Sequence, residues 1–221
     1  MNITNIKKLI LKYKHAWVFL YCPIYLICFF GLEKAVTTEF HLIHVPLDDK
    51  IPFIEQFIIP YVAWYLFVAV GVAYFFLTDK HDFYRLAAFL FVGMTTFLIV
   101  SVIYPNGLEL RPDLTSKNNI YISLIKALHR IDTPTNVFPS IHVYNTLAVW
   151  VAIAKSKVLR KDLWLQIASS ILSISIVLST MFLKQHSVID VIGAFVLAAV
   201  AYIIIYVVEP KRAKPIDKQT D

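Results

Sequence analysis

The chain alternates long apolar runs with short polar links. The runs fall at about 16–31, 61–77, 86–103, 138–154, 163–183 and 188–208, each close to the roughly 17–25 residues that cross a bilayer as a helix. Pro23 lies inside the first run and predicts a kink there. That run follows Lys7, Lys8, Lys12 and Lys14, a start that also fits a signal peptide. No small-residue cleavage site follows and further apolar runs do, so it reads as a retained span. The link 33–60 is punctuated by Pro46, Pro52 and Pro60. Within it, residues 53–59 predict a short interfacial or partly re-entrant helix, and Asp48, Asp49 and Lys50 a solvated turn. After the third run, Tyr104-Pro105-Asn106-Gly107 signals a turn. Ile120, Leu124, Leu128 and Ile131 then recur at helical spacing, with Lys117, Lys126 and Arg130 off the stripe and Asn118 placed as an N-cap. This predicts an amphipathic helix, either lying in the interface or covering the end of a bundle.

Composition supports the same picture. Charged residues are 16% of the chain and hydrophobic ones 58%, with a mean hydropathy of +0.66, whereas a soluble domain carries about 25% charged residues. The expected fold class is therefore all-α: a polytopic membrane protein with a six-transmembrane-helix bundle and an extracytoplasmic interfacial helix, one domain over 1–221. Cys22 and Cys28 sit in the first run, form no disulfide framework, and read as packing residues. His41 and His44 are spaced as a metal pair, but no further ligand motif stands beside them, so they read as interfacial histidines. The net charge of +6 is dispersed between spans, which reads as membrane topology and excludes a nucleic-acid stripe.

Six spans put both termini on one side. That side collects the tails and the links at 78–85 and 155–162, and holds 14 of the 21 lysines and arginines. The excess marks the termini as cytoplasmic. The expected setting is the plasma membrane, with Arg111, Ser140, His142, His186 and Asp190 brought to the outer face from three separate segments.

These residue types suit phosphoryl transfer. His186 and Asp190 are four apart, so a helix from Ser187 onward stacks them on one face, and the carboxylate can hold one imidazole nitrogen while freeing the other. The free nitrogen could attack phosphorus. His142 would be the second acid–base group, protonating the leaving oxygen and then activating the acceptor. Arg111 offers a donor fork that matches phosphate. Ser140, at the start of the fourth span, offers a hydroxyl beside free helix N–H groups. Taken singly, each residue has an ordinary structural role as a bonded histidine, an interfacial anchor or a cap. Their convergence at one depth carries the catalytic reading. The scheme needs no metal and no cofactor; its partners would be a phosphorylated lipid substrate and membrane lipids. Nothing in the sequence fixes an oligomeric state.

Arg111-Pro112, Pro139-Ser140-Ile141-His142 and Ser179…His186…Asp190 resemble, in order, the three signature motifs of the type 2 phosphatidic acid phosphatase (PAP2) superfamily, with the core motifs spanning 104–190. The resemblance implies a six-helix membrane core, with His186 as nucleophile, Asp190 as its orienting partner and His142 as general acid. Arg111, Ser140 and Ser179 would bind phosphate. The chain departs from the pattern at three positions. Tyr104 stands where the family has a lysine, Ile141 replaces a glycine, and Thr180 stands where an arginine follows the serine. Lys184, two residues before His186, is the cation that would compensate. The losses, and the run Gln185-His186-Ser187-Val188-Ile189-Asp190-Val191, are also similar to inositol phosphorylceramide and sphingomyelin synthases. Two enzymatic expectations follow: a lipid-phosphate phosphatase, or a phosphotransferase passing a phosphorylated headgroup to a lipid alcohol. A third expectation is a relative that has lost its chemistry.

Overall fold

The computed structural model describes residues 11–36 and 39–208. Lys7, Lys8, Lys211, Arg212, Lys214 and Lys218, which entered the charge count, lie outside the described residues. The elements are α1 (Lys14–Ala35), β1 (His41–Leu42), α2 (Pro46–Lys50), α3 (Ile58–Thr78), α4 (Lys80–Ile103), β2 (Asn106–Gly107), α5 (Ile120–Leu128), α6 (Ile141–Lys155), α7 (Leu163–Phe182) and α8 (Val188–Tyr202). α8 continues in π-helical winding over Ile203–Val208. α1 is wound as a 3-10 helix over Lys14–Leu20 and as an α-helix from Tyr21. The change of winding falls two residues before Pro23, whose missing N–H was expected to disturb the helix here.

Among the described residues, five helical segments are long and apolar enough to cross a membrane: Lys14–Ala35, Glu55–Thr78, Lys80–Ile103, Leu163–Phe182 and Val188–Val208. The sixth predicted span is the shorter α6, of 15 residues, which starts at Ile141 rather than 138. It is the helix the others enclose, touching α3, α4, α7 and α8. Its residues Val143, Tyr144, Ala148, Val149 and Ala152 form the core with Phe83, Leu86 and Phe89 of α4 and Val191, Ala194 and Ala198 of α8. A central helix can be short because protein rather than lipid covers it. Gly93 permits the closest approach: a Cβ there would meet Tyr144 Cε1 at 2.0 Å. The Tyr144 hydroxyl donates to the carbonyl of Phe89 at 2.8 Å.

Side chains set the helix starts. Asp79, Asn119, Ser140, Asp162 and Ser187 each accept a first-turn N–H, capping α4, α5, α6, α7 and α8. The cap of α5 is thus Asn119, and Asn118 is not used. The buried stripe of α5 is Ile122, Ile125 and Leu128, packed on Ile58, Tyr61 and Leu183. Ile120, Leu124 and Ile131 of the expected stripe are exposed, while Leu128 holds its predicted place. The helix is apolar on two faces, so the period was right and the phase was not.

The ends of α1, α4 and α7 and the starts of α3, α6 and α8 meet at one end of the bundle, where the intervening segments interlock. The expected turn at Asn106-Gly107 is a short strand, paired in parallel with His41–Leu42. Buried Asn106 accepts the N–H groups of Val137 and Phe138 at 2.9 Å each through Oδ1, and Asn136 N–H through its carbonyl. This fixes the strap that leads into α6. His41 stacks on Tyr104, with ring centroids 4.2 Å apart, and His44 pairs with Asp49 at 2.9 Å, so the two histidines have separate partners. Cys22 and Cys28 are exposed, not packed in the core.

Candidate active site

The interlocked end brings His142, His186 and Asp190 together. α7 stops when Lys184 takes a left-handed turn (φ 58°). The Thr180 carbonyl then collects the N–H groups of Gln185 and His186. Ser187 starts α8 two residues later, and its backbone N–H donates to Asp190 Oδ2 at 2.8 Å. The same Oδ2 lies 3.4 Å from His186 Nδ1, a contact not aligned as a hydrogen bond. On the other side of the ring, His186 Nε2 lies 3.4 Å from His142 Nδ1. Asp190 is fully buried and His186 is 7% exposed.

Arg111 reaches the same region through Gln185, the residue before His186. Its Nη2 donates to Gln185 Oε1 at 2.6 Å and to the Asp132 carbonyl at 2.8 Å. Burial pushes the guanidinium below its usual range, against the pull of Asp132, Tyr61 and Glu33. Gln185 Nε2 in turn donates to His129 Nε2 at 2.9 Å. Burial, and then the charge of Arg111, hold His129 down at about 4. His129 is therefore neutral at ordinary pH and able to accept that bond.

The remaining predicted phosphate ligands are engaged elsewhere. Ser140 is buried and accepts Val143 N–H at 3.3 Å. The Ser179 hydroxyl donates to Ile176 O at 2.6 Å inside its own helix. The Lys184 ammonium donates to the backbone carbonyl of Asp48. Thr180 also bonds back within α7, to Val177 O, and Tyr104 stacks on His41.

Asp48 is the residue that sequence reasoning misplaced most. Expected in a solvated turn, it is 2% exposed and caps α8 from across the chain. Its Oδ1 accepts Val188 N–H at 2.8 Å, and its Oδ2 accepts the Ser187 hydroxyl at 2.6 Å and Val45 N–H at 2.9 Å. A carboxylate at a helix N-terminus is favoured by the helix dipole. Here it anchors the helix that carries Asp190.

A cavity of about 720 Å³ opens beside the histidines. Its long walls are apolar side chains of α1, α3 and α4, and its polar end carries Glu33, Asp132, Asn136, His142, Gln185 and His186. Trp64 packs on His142 with centroids 4.3 Å apart, and Tyr61 at 4.7 Å. Trp64 Nε1, Asn145 Oδ1 and His142 Nε2, all on cavity-lining side chains, are buried polar atoms without a protein partner. In apolar surroundings such groups are costly unless something polar meets them. The sequence offered few signals for these residues. An acid near the end of an apolar run (Glu33) and an acid opening the strap before α6 (Asp132) are two that stand out in hindsight.

Among the described residues, the one carboxylate–histidine group close enough to hold a metal ion is Asp79, His81 and Asp82. It sits at the start of α4, at the opposite end of the bundle, where Asp79 already caps that helix.

A family model of the PAP2 superfamily matches residues 86–214, more than half of the chain. The protein belongs to that superfamily, and lipid-phosphate chemistry of the phosphatase or phosphotransferase kind comes with it. The match takes in Arg111, Ser140, His142, Ser179, His186 and Asp190, and begins well after Glu33 and Asp48. No curated protein and no solved structure matches the chain.

Proposed function

We propose that the protein is a metal-independent lipid-phosphate phosphatase that works through a phosphohistidine at the outer face of the membrane. The observation that carries this reading is the line Asp190–His186–His142, with 3.4 Å at each contact, opening into an apolar cavity large enough for lipid chains. His186 Nε2 attacks phosphorus while Asp190 stabilises the positive charge that builds on the ring. The bond to the leaving lipid oxygen breaks as His142 delivers a proton to it. His142 then takes a proton from water, whose oxygen attacks phosphorus, releases phosphate and restores His186. Arg111, held beside His186 by Gln185, is the phosphate-binding cation of the scheme, and the first turn of α6 behind Ser140 supplies N–H donors. Ser179 and Lys184 support the site indirectly, by closing α7 and by clamping Asp48.

A second reading uses the same three residues and replaces water by a lipid alcohol. Tyr104 and Thr180, where the family has cations, favour it, because a phosphodiester carries less negative charge than a monoester.

The test is phosphate release from a panel of lipid phosphates by the purified protein in EDTA, beside His186→Ala. Release by the native protein alone supports the phosphatase. Product that forms only when a lipid alcohol is supplied moves the assignment to transfer. Silence in both assays rejects catalysis.

A further inference from the structure

The cavity beside the histidines has a built floor. Four rings close its far end: His15 and Phe19 from α1, Phe76 from α3 and Phe83 from α4. Phe19 packs on Phe76 and Phe83 with centroids 5.1 and 5.6 Å apart, and those two rings meet each other at 5.4 Å. His15 completes the cluster, 4.6 Å from Phe76 and 5.4 Å from Phe83. Its Nε2 donates to the Phe76 carbonyl at 2.9 Å, in the last turn of α3, where carbonyls lack a partner in their own helix. His15 and Phe83 are buried, so the plug is packed on its inner side, and Phe19 and Phe83 present it to the cavity.

From this floor the walls rise toward the histidines. α1 lies along α4, and Phe29 meets Phe97 one turn before Glu33. On α4 the lining runs from Phe83 to Phe97, about four helical turns or ~21 Å. An extended hydrocarbon chain advances about 1.3 Å per carbon, so this apolar length matches a chain of about 16 carbons. A shorter chain leaves wall atoms without contacts. A longer one meets the rings and has nowhere further to go.

We propose that this plug makes the cavity a ruler, selecting phosphorylated lipids whose chain is about 16 carbons long. The proposal rests on the phosphate seating at His186, which fixes where the count begins, and deepens that reading by naming the chain. His15, Phe19, Phe76 and Phe83 all precede the residues matched by the family model. The ruler is thus set by this chain's own first spans.

The experiment uses the full chain in nanodiscs with linear saturated alkyl phosphates of about 10 to 22 carbons. The expected kcat/KM peaks at about 16 carbons and falls about tenfold by roughly six carbons to either side. Ala87 and Ala69 line the cavity one turn above Phe83 and two turns above Phe76. Ala87→Phe should lower the optimum by about five carbons, and Ala69→Trp, on an exposed part of the wall, by about eight. Phe19→Ala, which opens the floor, should raise it by about three. Binding is read separately in His186→Ala, by tryptophan fluorescence with the same alkyl phosphates. A chain-length optimum there, with no turnover by the native protein, upholds the ruler and rejects the catalytic reading. Turnover without an optimum, or with an optimum that Ala69→Trp leaves in place, rejects the ruler and leaves catalysis standing. No turnover and no optimum in binding rejects both.

Discussion

The backbone N–H of Ser140 donates to the backbone carbonyl of Asp190 at 3.2 Å. One bond thereby joins the start of α6 to the first turn of α8, and with them the helices that carry His142 and Asp190. Because it is a main-chain bond, side-chain variants at either position leave it in place. The role of the Asp190 carboxylate can therefore be separated from the frame that holds it. Asp190→Asn keeps an acceptor for Ser187 N–H but loses the charge facing His186. It is expected to lower kcat by about 10²–10⁴ with little change in melting temperature. Asp190→Ala removes the cap as well and should cost a further ~0.5–2 kcal/mol in stability. Equal melting losses in the two variants would show that the charge, not the cap, holds the fold.

Asp48 gives the second prediction. Its carboxylate makes three hydrogen bonds, two of them to Ser187 and Val188 at the start of α8. Asp48→Ala leaves those donors buried and unpaired, at a cost of about 1–3 kcal/mol each before relaxation. Asp48→Asn keeps one acceptor oxygen, and so a part of the clamp. Thermal melting should rank native above Asn above Ala, and kcat should follow that order while KM moves little, because Asp48 positions the catalytic helix without lining the cavity. A KM change with kcat intact would place Asp48 in substrate binding instead.

The contrast between His186 and Asp48 shows what a sequence reveals. His186 and Asp190 are neighbours on one helix start, so spacing alone brings them together. The spans were legible for a similar reason: run length is a local property, and five of the six hold as long helices. Asp48 meets partners 139 and 140 residues away, and nothing in its proline-flanked surroundings hints at them. α5 failed in phase because apolar residues occupy two of its faces, and pattern alone does not say which one packs on Tyr61. Lys184 reads as a free cation in sequence, yet a left-handed backbone turns its amine onto Asp48. Composition is no guide to where a charge points.

His129 makes the third prediction. Its pKa is held at about 4 in the fold, against 6.5 for a free histidine. Between those values the unfolded chain binds more protons than the native one, so stability rises with pH. The contribution is complete above about pH 6.5 and is lost as pH falls through 4. Only as pH approaches 4 does the folded His129 itself gain the proton, and there the Gln185–His129 bond, and with it the seat of Arg111, should weaken. Melting temperatures measured from pH 7.5 to 4.5 should fall toward acid. His129→Gln, which keeps an acceptor for Gln185 without titrating, should flatten that fall. An unchanged slope in the variant would assign the acid sensitivity to other groups.

Sidedness is the last prediction, and the fold sharpens it. The segments that build the site all lie at the end opposite the 78–85 and 155–162 links. Those two links carry Lys80, Arg85, Lys155, Lys157, Arg160 and Lys161, and cytoplasmic loops are the ones enriched in such cations. The site should accordingly face outward. Ser116 lies exposed on the site end and Lys157 exposed on the other. In a background with Cys22 and Cys28 replaced by alanine, Ser116→Cys should react in intact cells with a membrane-impermeant maleimide. Lys157→Cys should react only after the membrane is opened. The reverse pattern would turn the molecule over and place its cavity at the cytoplasmic leaflet. It would change which lipids could reach His186 but not the chemistry proposed for it.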